Sequence, residues 1–323
     1  MSGQAIAPAA ASEAAPTGGG GGTARRARRS SRRAADRRLG YALVAPAVIL
    51  LLAITGFPLV YNLWNSFHYV NLSYANVPQH FVGLSNYTRM FTSSSWLASL
   101  ERTLAFTAVS AVFDTAVALG LALMLHRRFP GRGLLRAAIL IPWAVPTVVS
   151  AMLWQTMFDP RAGFVDYFLG IVHPSWGSLT WAGASVLRSW VVVFIADAWK
   201  NVPFVAIILL AGLQVIPTEV YEAAKIDGAT AWQSFRRMTL PLLKPAIMVA
   251  LVFRTLQAFF VFDVIYIMTG GGPGTSTETL SFLNYQTFIT NTDFGYGGAM
   301  SIVLIVMALV IAGVYVRVLR PEL

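Results

Sequence analysis

The sequence contains no cysteine and few charged residues. Without cysteine, disulfide bonds and cysteine-ligated metal sites are excluded. Only 12% of the residues are charged and 56% are hydrophobic, whereas a soluble domain carries about 25% charged residues. The histidines are scattered (His68, His80, His126 and His173) and do not occur at ligand spacing, so no metal site is expected. This composition predicts a membrane protein.

The first 39 residues differ from the rest of the chain. They are rich in Ala, Gly, Ser and Arg, hold eight arginines and show no apolar periodicity. We predict that residues 1–39 form a disordered, basic cytosolic tail and that residues 40–323 form one transmembrane domain. Arginines beside a first span are typical of a cytosolic flank near anionic lipid, so no nucleic-acid partner is expected. A cleaved signal peptide is the alternative, but the apolar run reaches about 25 residues and no clear cleavage site follows.

Apolar segments long enough to cross a bilayer follow the tail. A hydrocarbon core about 30 Å thick requires about 20 helical residues. Six segments meet this requirement, and the predicted fold class is therefore all-α integral membrane with six transmembrane helices. The segments are 41–65, 103–125, 135–157, 189–212, 246–268 and 297–318.

Lysine and arginine are distributed unevenly between the two sides. With both termini in the cytosol, 18 of the 24 basic residues lie in cytosolic segments. The outer loops hold four, which are Arg89, Arg102, Arg161 and Arg188. This asymmetry predicts cytoplasmic termini and places the polar segment between spans four and five in the cytosol.

That polar segment, EAAKIDGATAWQSFRRMTLPLLKP, has the signals of two short helices. Thr218 is predicted to cap the first, with Glu219 in its first turn. Gly228 stands where a helix ends with positive φ. Thr230–Gln233 has the capping-box pattern of a second helix. Pro241 and Pro245 are predicted to end this second helix and lead into span five.

The same segment resembles a known family motif. It reads Glu-Ala-Ala, three residues, Gly, nine residues, then an apolar residue (Met238 in place of Ile), one further residue and Leu-Pro. This resembles the EAA loop of permease subunits of bacterial ATP-binding-cassette (ABC) importers. The stretches WKNVPF and FRTLQAFFVFDVIYIMTGGGPGTSTETL are similar to the carbohydrate, maltose-type branch. The resemblance covers the chain from about residue 40 onward.

The resemblance implies a type I importer permease fold, in a multi-pass protein of the bacterial cell membrane, and a set of partners. These are a second homologous permease, two copies of an ABC ATPase and an extracytoplasmic substrate-binding protein. ATP and Mg²⁺ would bind the ATPases, so this chain is expected to hold no cofactor and to be no enzyme. The residues implied to contact the ATPase are Glu222, Ala223, Ala224, Asp227, Gly228, Leu240 and Pro241.

Polar residues within spans four and five suggest a substrate path, because such residues usually face a cavity or a partner. Asp197, Asn201 and Phe204 share one helical face, and Asn201 and Gln257 are predicted at the same depth. Maltose-type permeases hold sugar with these two spans, which supports the positions. The predicted path residues on span five are Arg254, Gln257, Ala258 and Val261. Alternatively, Asp197 and Lys200 neutralise each other, Arg254 pairs with an acid of the partner subunit, and Asp114 caps a helix or pairs within the bundle.

The predicted function is half of the translocation path for a di- or oligosaccharide such as trehalose or maltose. One alternative is a glycerol-phosphodiester importer, although a phosphate would favour more basic residues than Arg254 alone. A stand-alone secondary transporter is a weaker alternative, because it needs no ATPase-contacting loop. Motifs of an intramembrane enzyme are absent from the spans.

Overall fold

A computed structural model describes residues 39–74, 77–161, 163–173 and 179–319. The predicted disordered tail lies outside these residues, apart from Leu39. The helices of the described residues are α1 Leu39–Ser66, α2 Ser85–Thr92, α3 Ser94–His126, α4 Arg132–Ala144, α5 Thr147–Met157, α6 Phe164–Val172, α7 Val186–Val215, α8 Thr218–Ile226, α9 Ala231–Phe259, α10 Asp263–Met268, α11 Leu280–Tyr285 and α12 Phe294–Leu319. A π turn, Gln286–Thr290, follows α11 directly. Two short strands, β1 His68–Tyr69 and β2 His80–Phe81, pair antiparallel.

The chain divides into two compact units, one ending at Val60 and the other beginning at Tyr61. The first unit contains most of α1, whose helix includes a π turn at Leu52–Gly56. The second unit contains all the other helices and the candidate sites.

The prediction of six spans is confirmed in number. Among the described residues, five helices are long and apolar enough to cross a membrane (α1, α3, α7, α9 and α12), and the pair α4 and α5 forms a sixth candidate. The bounds differ from the prediction most in the third and fifth spans, and the second span also begins earlier than predicted, at Ser94.

The third span is not the continuous helix predicted for 135–157. Helix α4 ends at Ala144, α5 begins at Thr147, and the two are bent by 92°. Val145 and Pro146 are both extended, with ψ of 132° and 138°. The cause is Pro146, which has no N–H to continue the helix and disfavours helical geometry at the residue before it.

The fifth span begins earlier and ends earlier than predicted. Helix α9 runs from Ala231 to Phe259, and α10 begins only after a break. Neither Pro241 nor Pro245 ends the helix: a π turn at Phe235–Thr239 comes just before Pro241, and Pro245 lies inside the α-helical part that follows. In this turn the N–H of Leu240 donates to the carbonyl of Phe235, a wider spacing that accommodates a proline ring.

Helices α3, α7 and α9 pack against one another as the centre of the second unit. Near the α8 end, α7 and α9 approach closely at Gly212. A Cβ atom at Gly212 would stand 2.4 Å from the Cβ atom of Ala246. The absence of a side chain at Gly212 therefore allows this close contact between the two helices.

At the opposite end, the start of α12 packs on the segment that follows α1. The N–H of Gly295 donates to the carbonyl of Val70 at 3.0 Å, and Asn86 Nδ2 donates to the carbonyls of Ser66 and His68. A Cβ atom at Gly295 would lie 2.3 Å from the carbonyl oxygen of His68. Within the second unit, this contact joins the segment after α1 to the start of α12.

We expect Gly295→Ala to lower the free energy of unfolding by about 1–3 kcal/mol, because the backbone of His68 must shift to admit the methyl group. Thermal unfolding of the purified protein in detergent measures the effect. Gly313→Ala in the same helix is the matched control, since a Cβ atom there meets nothing within 4 Å. Equal unfolding temperatures for the two variants would contradict the close approach.

Candidate functional site

The polar segment folds as a short helix closed by a glycine, as predicted. Helix α8 ends with two hydrogen bonds, from Gly228 N to the Lys225 carbonyl and from Ala229 N to the Ala224 carbonyl. Gly228 has φ of +71°, so these bonds form a Schellman C-cap. The spacing between the alanine pair and the glycine is the spacing that this cap requires.

The connection from α8 into α9 also follows the sequence signals in part. Thr230 and Gln233 form the predicted capping box in both directions. Thr218 does not cap α8, because Pro217 occupies the cap position and makes no side-chain bond. Thr239 Oγ1 donates to the hydroxyl of Tyr221 at 3.3 Å, which links α9 to α8.

One face of α8 is open. Glu219, Glu222, Ala223 and Ile226 are all exposed, and their spacing places them on the same side of the helix. Ile226 is 86% exposed, which is unusual for a large aliphatic side chain on a polar helix. Ala224 faces the other way and is fully buried. Helix α8 therefore presents an acidic face with an apolar end.

A group of charged residues lies inside the bundle of α3, α7 and α9. The Arg254 guanidinium forms ion pairs with Asp114 through Nε and with Asp197 through Nη2. Asn201 Nδ2 donates to Asp197 Oδ1 at 2.9 Å. Arg254 and Asp114 are 0% exposed. The three charged residues form a buried ionic cluster that joins the three helices.

The acidic partners of Arg254 belong to this chain, whereas the sequence alternative placed one on a partner subunit. Arg254 is not among the residues that line the cavity described below, and its place on the substrate path stays a prediction. The prediction that Asp114 pairs within the bundle is confirmed. Asp197 does not form an ion pair with Lys200, whose ammonium group instead donates to the carbonyls of Trp143 and Val145.

A polar cavity of about 350 Å³ lies beside the ionic cluster. The structure brings Asn201 and Gln257 to its wall, in agreement with their predicted common depth. The side-chain amide of Gln257 makes no hydrogen bond to another described residue, so it is available to a ligand. The full lining is Trp143, Thr147, Asp197, Lys200, Asn201, Gln257, Phe260, Val261, Phe262, Asp263 and Val264.

Two further predicted path residues lie away from this cavity. Ala258 is fully buried in the packing of α9, and Phe204 is covered by the ring of Trp143, 4.7 Å between centroids. The cavity residues Trp143, Thr147 and Lys200 were not predicted. Pro146 was the signal that could have indicated the first two, because a break in a span exposes its ends to the interior.

Comparisons with known proteins agree with this architecture. Residues 116–321 match the family model described as binding-protein-dependent transport system inner membrane component. The trehalose/maltose transport system permease protein of Thermococcus litoralis is 41% identical over 286 residues, which cover 88% of this chain and 95% of that protein. The trehalose transport system permease protein of Mycobacterium tuberculosis is 39% identical, over 88% of this chain and 89% of that protein.

A more distant relative is the sn-glycerol-3-phosphate transport system permease protein of Agrobacterium fabrum, 34% identical over 87% of this chain and 94% of that protein. Among solved structures, a bacterial ABC transporter that imports the acidic polysaccharide alginate has a similar chain, with a TM-score of 0.77 and 24% identity. The alignment covers 90% of this chain and 98% of that one, and it shows the type I permease fold.

The family match extends over more than half of the chain, from within α3 through α12, and the curated relatives align over almost their whole length. The chain therefore belongs to the family of inner membrane components of binding-protein-dependent transport systems, the permease subunits of ABC importers.

Proposed function

We propose that this chain forms one half of a translocation path for a neutral di- or oligosaccharide of the trehalose or maltose type. A second permease would supply the other half. An extracytoplasmic binding protein would deliver the sugar, and two separate ATPase subunits would bind ATP and Mg²⁺. The termini and α8 would lie in the cytoplasm.

The observation that carries this proposal is that the basic side chains in and beside the cavity already have partners within this chain. Arg254 is enclosed by two aspartates, and the Lys200 ammonium group is held by two backbone carbonyls. Asp263, also at the wall, adds a negative charge. The charged residues that line the described cavity are one cation, Lys200, and two acids, Asp197 and Asp263, so the wall carries a net negative charge that disfavours a phosphate. The side-chain amide of Gln257 suits a sugar hydroxyl.

The open face of α8 supports the proposed contact with the ATPase subunits. A helix of nine residues with exposed Glu222 and Ile226 offers a charged and an apolar contact to a soluble subunit. In the proposed complex, Glu222, Ala223 and Asp227 contact the ATPase and Gly228 fixes the end of the helix. Leu240 and Pro241 begin the α-helical part of α9 that follows the π turn, and in the proposed complex they set the direction of that helix.

Uptake by the assembled importer tests the substrate class. The complex is purified through a tag on this chain, placed in proteoliposomes and supplied with trehalose, maltose or glycerophosphocholine. We expect saturable, ATP-dependent uptake of a disaccharide and none of the phosphodiester. Uptake of the phosphodiester alone would contradict the sugar proposal, and uptake without ATP would favour a secondary transporter.

A further inference from the structure

The tryptophan at the break of the third span has two different environments. Trp143 lies at the end of α4, lines the cavity and is 41% exposed. One face of its indole stacks on Phe204, with the ring planes inclined by 12°. Phe204 in turn contacts Phe253 of α9, with centroids 4.9 Å apart. The indole is thus supported by a column of rings, and part of its surface remains open at the cavity.

Lys200 fixes the backbone at the same place. Its Nζ donates to the carbonyl of Trp143 at 3.2 Å and to the carbonyl of Val145. Both carbonyls lie at the break, where α4 ends at Ala144 and α5 leaves at 92°, so α4 does not continue to supply them with helical N–H partners. An ammonium group is also favoured at the negative end of the helix dipole. Lys200 therefore holds the end of α4 against α7 at the depth of the cavity.

We propose that Trp143 is a stacking surface for a ring of the transported sugar and that Lys200 is the residue that positions it. This inference rests on the proposed function. The C–H face of a pyranose packs on an indole, and a ring with two side-chain torsions loses little entropy when it binds. Gln257 at the same wall supplies hydrogen bonds to hydroxyl groups. The bent third span thereby contributes to specificity beside spans four and five.

The test of the stacking surface compares ring removal with ring replacement. In the reconstituted importer, Trp143→Ala is expected to raise the KM for disaccharide uptake about tenfold with a smaller change in kcat, which corresponds to a stacking contribution of about 1.4 kcal/mol. Trp143→Phe is expected to restore most of the affinity. Trp199→Ala is the matched control, since Trp199 precedes Lys200 on α7 but lines an apolar groove elsewhere.

The positioning role of Lys200 is tested by a double-mutant cycle. Lys200→Met keeps the stem but loses the donors, and it is expected to raise the KM severalfold, whereas Lys200→Arg keeps it near the wild-type value. In the Trp143→Ala background, Lys200→Met should add little. Full additivity of the two effects would show that Lys200 does not act through Trp143.

The outcomes separate this inference from the function on which it rests. Wild-type uptake of a disaccharide with an unchanged KM in Trp143→Ala would overturn the stacking surface alone. Wild-type uptake of glycerophosphocholine alone would overturn the sugar proposal and the stacking surface together.

Discussion

Replacing Arg254 by methionine is expected to lower the free energy of unfolding by about 3–5 kcal/mol, because it leaves two buried carboxylates without their cation. Arg254 is 0% exposed and joins α9 to both α3 and α7. The charge of the cluster would change from −1 to −2 inside the bundle. Thermal unfolding of the purified protein, together with its amount in the membrane, measures the loss.

The matched variants separate charge from packing. Arg254→Met combined with Asp114→Asn and Asp197→Asn removes all three charges and should recover most of the stability, since neutral replacements of a buried ionic group are often tolerated. Arg317→Met near the end of α12 is the control for loss of an exposed arginine. If Arg254→Met were as stable as Arg317→Met, the ionic cluster would not join the three helices.

The second large effect is expected at α8. Glu222→Lys reverses the charge of its open face and is expected to weaken contact with a basic surface of the ATPase by about 2 kcal/mol or more, which is about thirtyfold. Substrate-stimulated ATPase activity of the assembled complex should fall accordingly. Glu219→Lys, one turn earlier on the same face, reports how far the contact extends along the helix.

Gly228→Val tests the end of the same helix independently of charge. A β-branched residue at φ of +71° is strained by about 1–3 kcal/mol and disrupts the Schellman cap. Gly131→Val introduces comparable strain at φ of +82° in the connection before α4, where a Cβ atom meets nothing within 4 Å. Loss of coupled ATPase activity in Gly228→Val but not in Gly131→Val is the expected result. Wild-type coupling in both Glu222→Lys and Gly228→Val would remove α8 from the contact.

The sequence predicted the α8 segment well because its structure is local. The Schellman cap and the capping box depend on residues within five positions of one another, and Gly228, Thr230 and Gln233 all behave as predicted. The failure at Pro241 has a local cause that no sequence signal indicated. A π turn before a proline changes which carbonyl lies beneath the ring, and no residue type specifies that turn.

The breaks within spans were less predictable, and for two different reasons. Pro146 was a visible signal, but prolines are common in membrane helices and many do not break them. The break at Phe260–Phe262 has neither proline nor glycine nearby. Only Asp263, an acid in the first turn of α10, indicates a helix start there.

The pairing of charges depends on contacts between distant segments, so the sequence left it undetermined. Asp114 and Arg254 are 140 positions apart, and Lys200 was equally compatible with Asp197 on its own helix. The helical faces of α7 and α9 were correctly predicted to bring Asn201 and Gln257 to one wall. Which neighbouring residues reach that wall was decided by the bend of the third span.

The close packing that Gly212 permits affects how a movement of α8 would reach the rest of the bundle. Helix α8 connects the end of α7 to the start of α9, and those two helices pack closely at Gly212 and Ala246. A displacement of α8 would therefore move α7 and α9 together, because their close contact leaves no room for either helix to shift alone. The two helices can bend more easily farther from α8. There Pro203 removes a backbone hydrogen bond from α7, and α9 ends before Phe260. At 1.5 Å per residue, Pro203 lies about 14 Å from Gly212 along α7 and the end of α9 lies about 20 Å from Ala246, so a displacement of α8 would be converted into rotation beside the cavity.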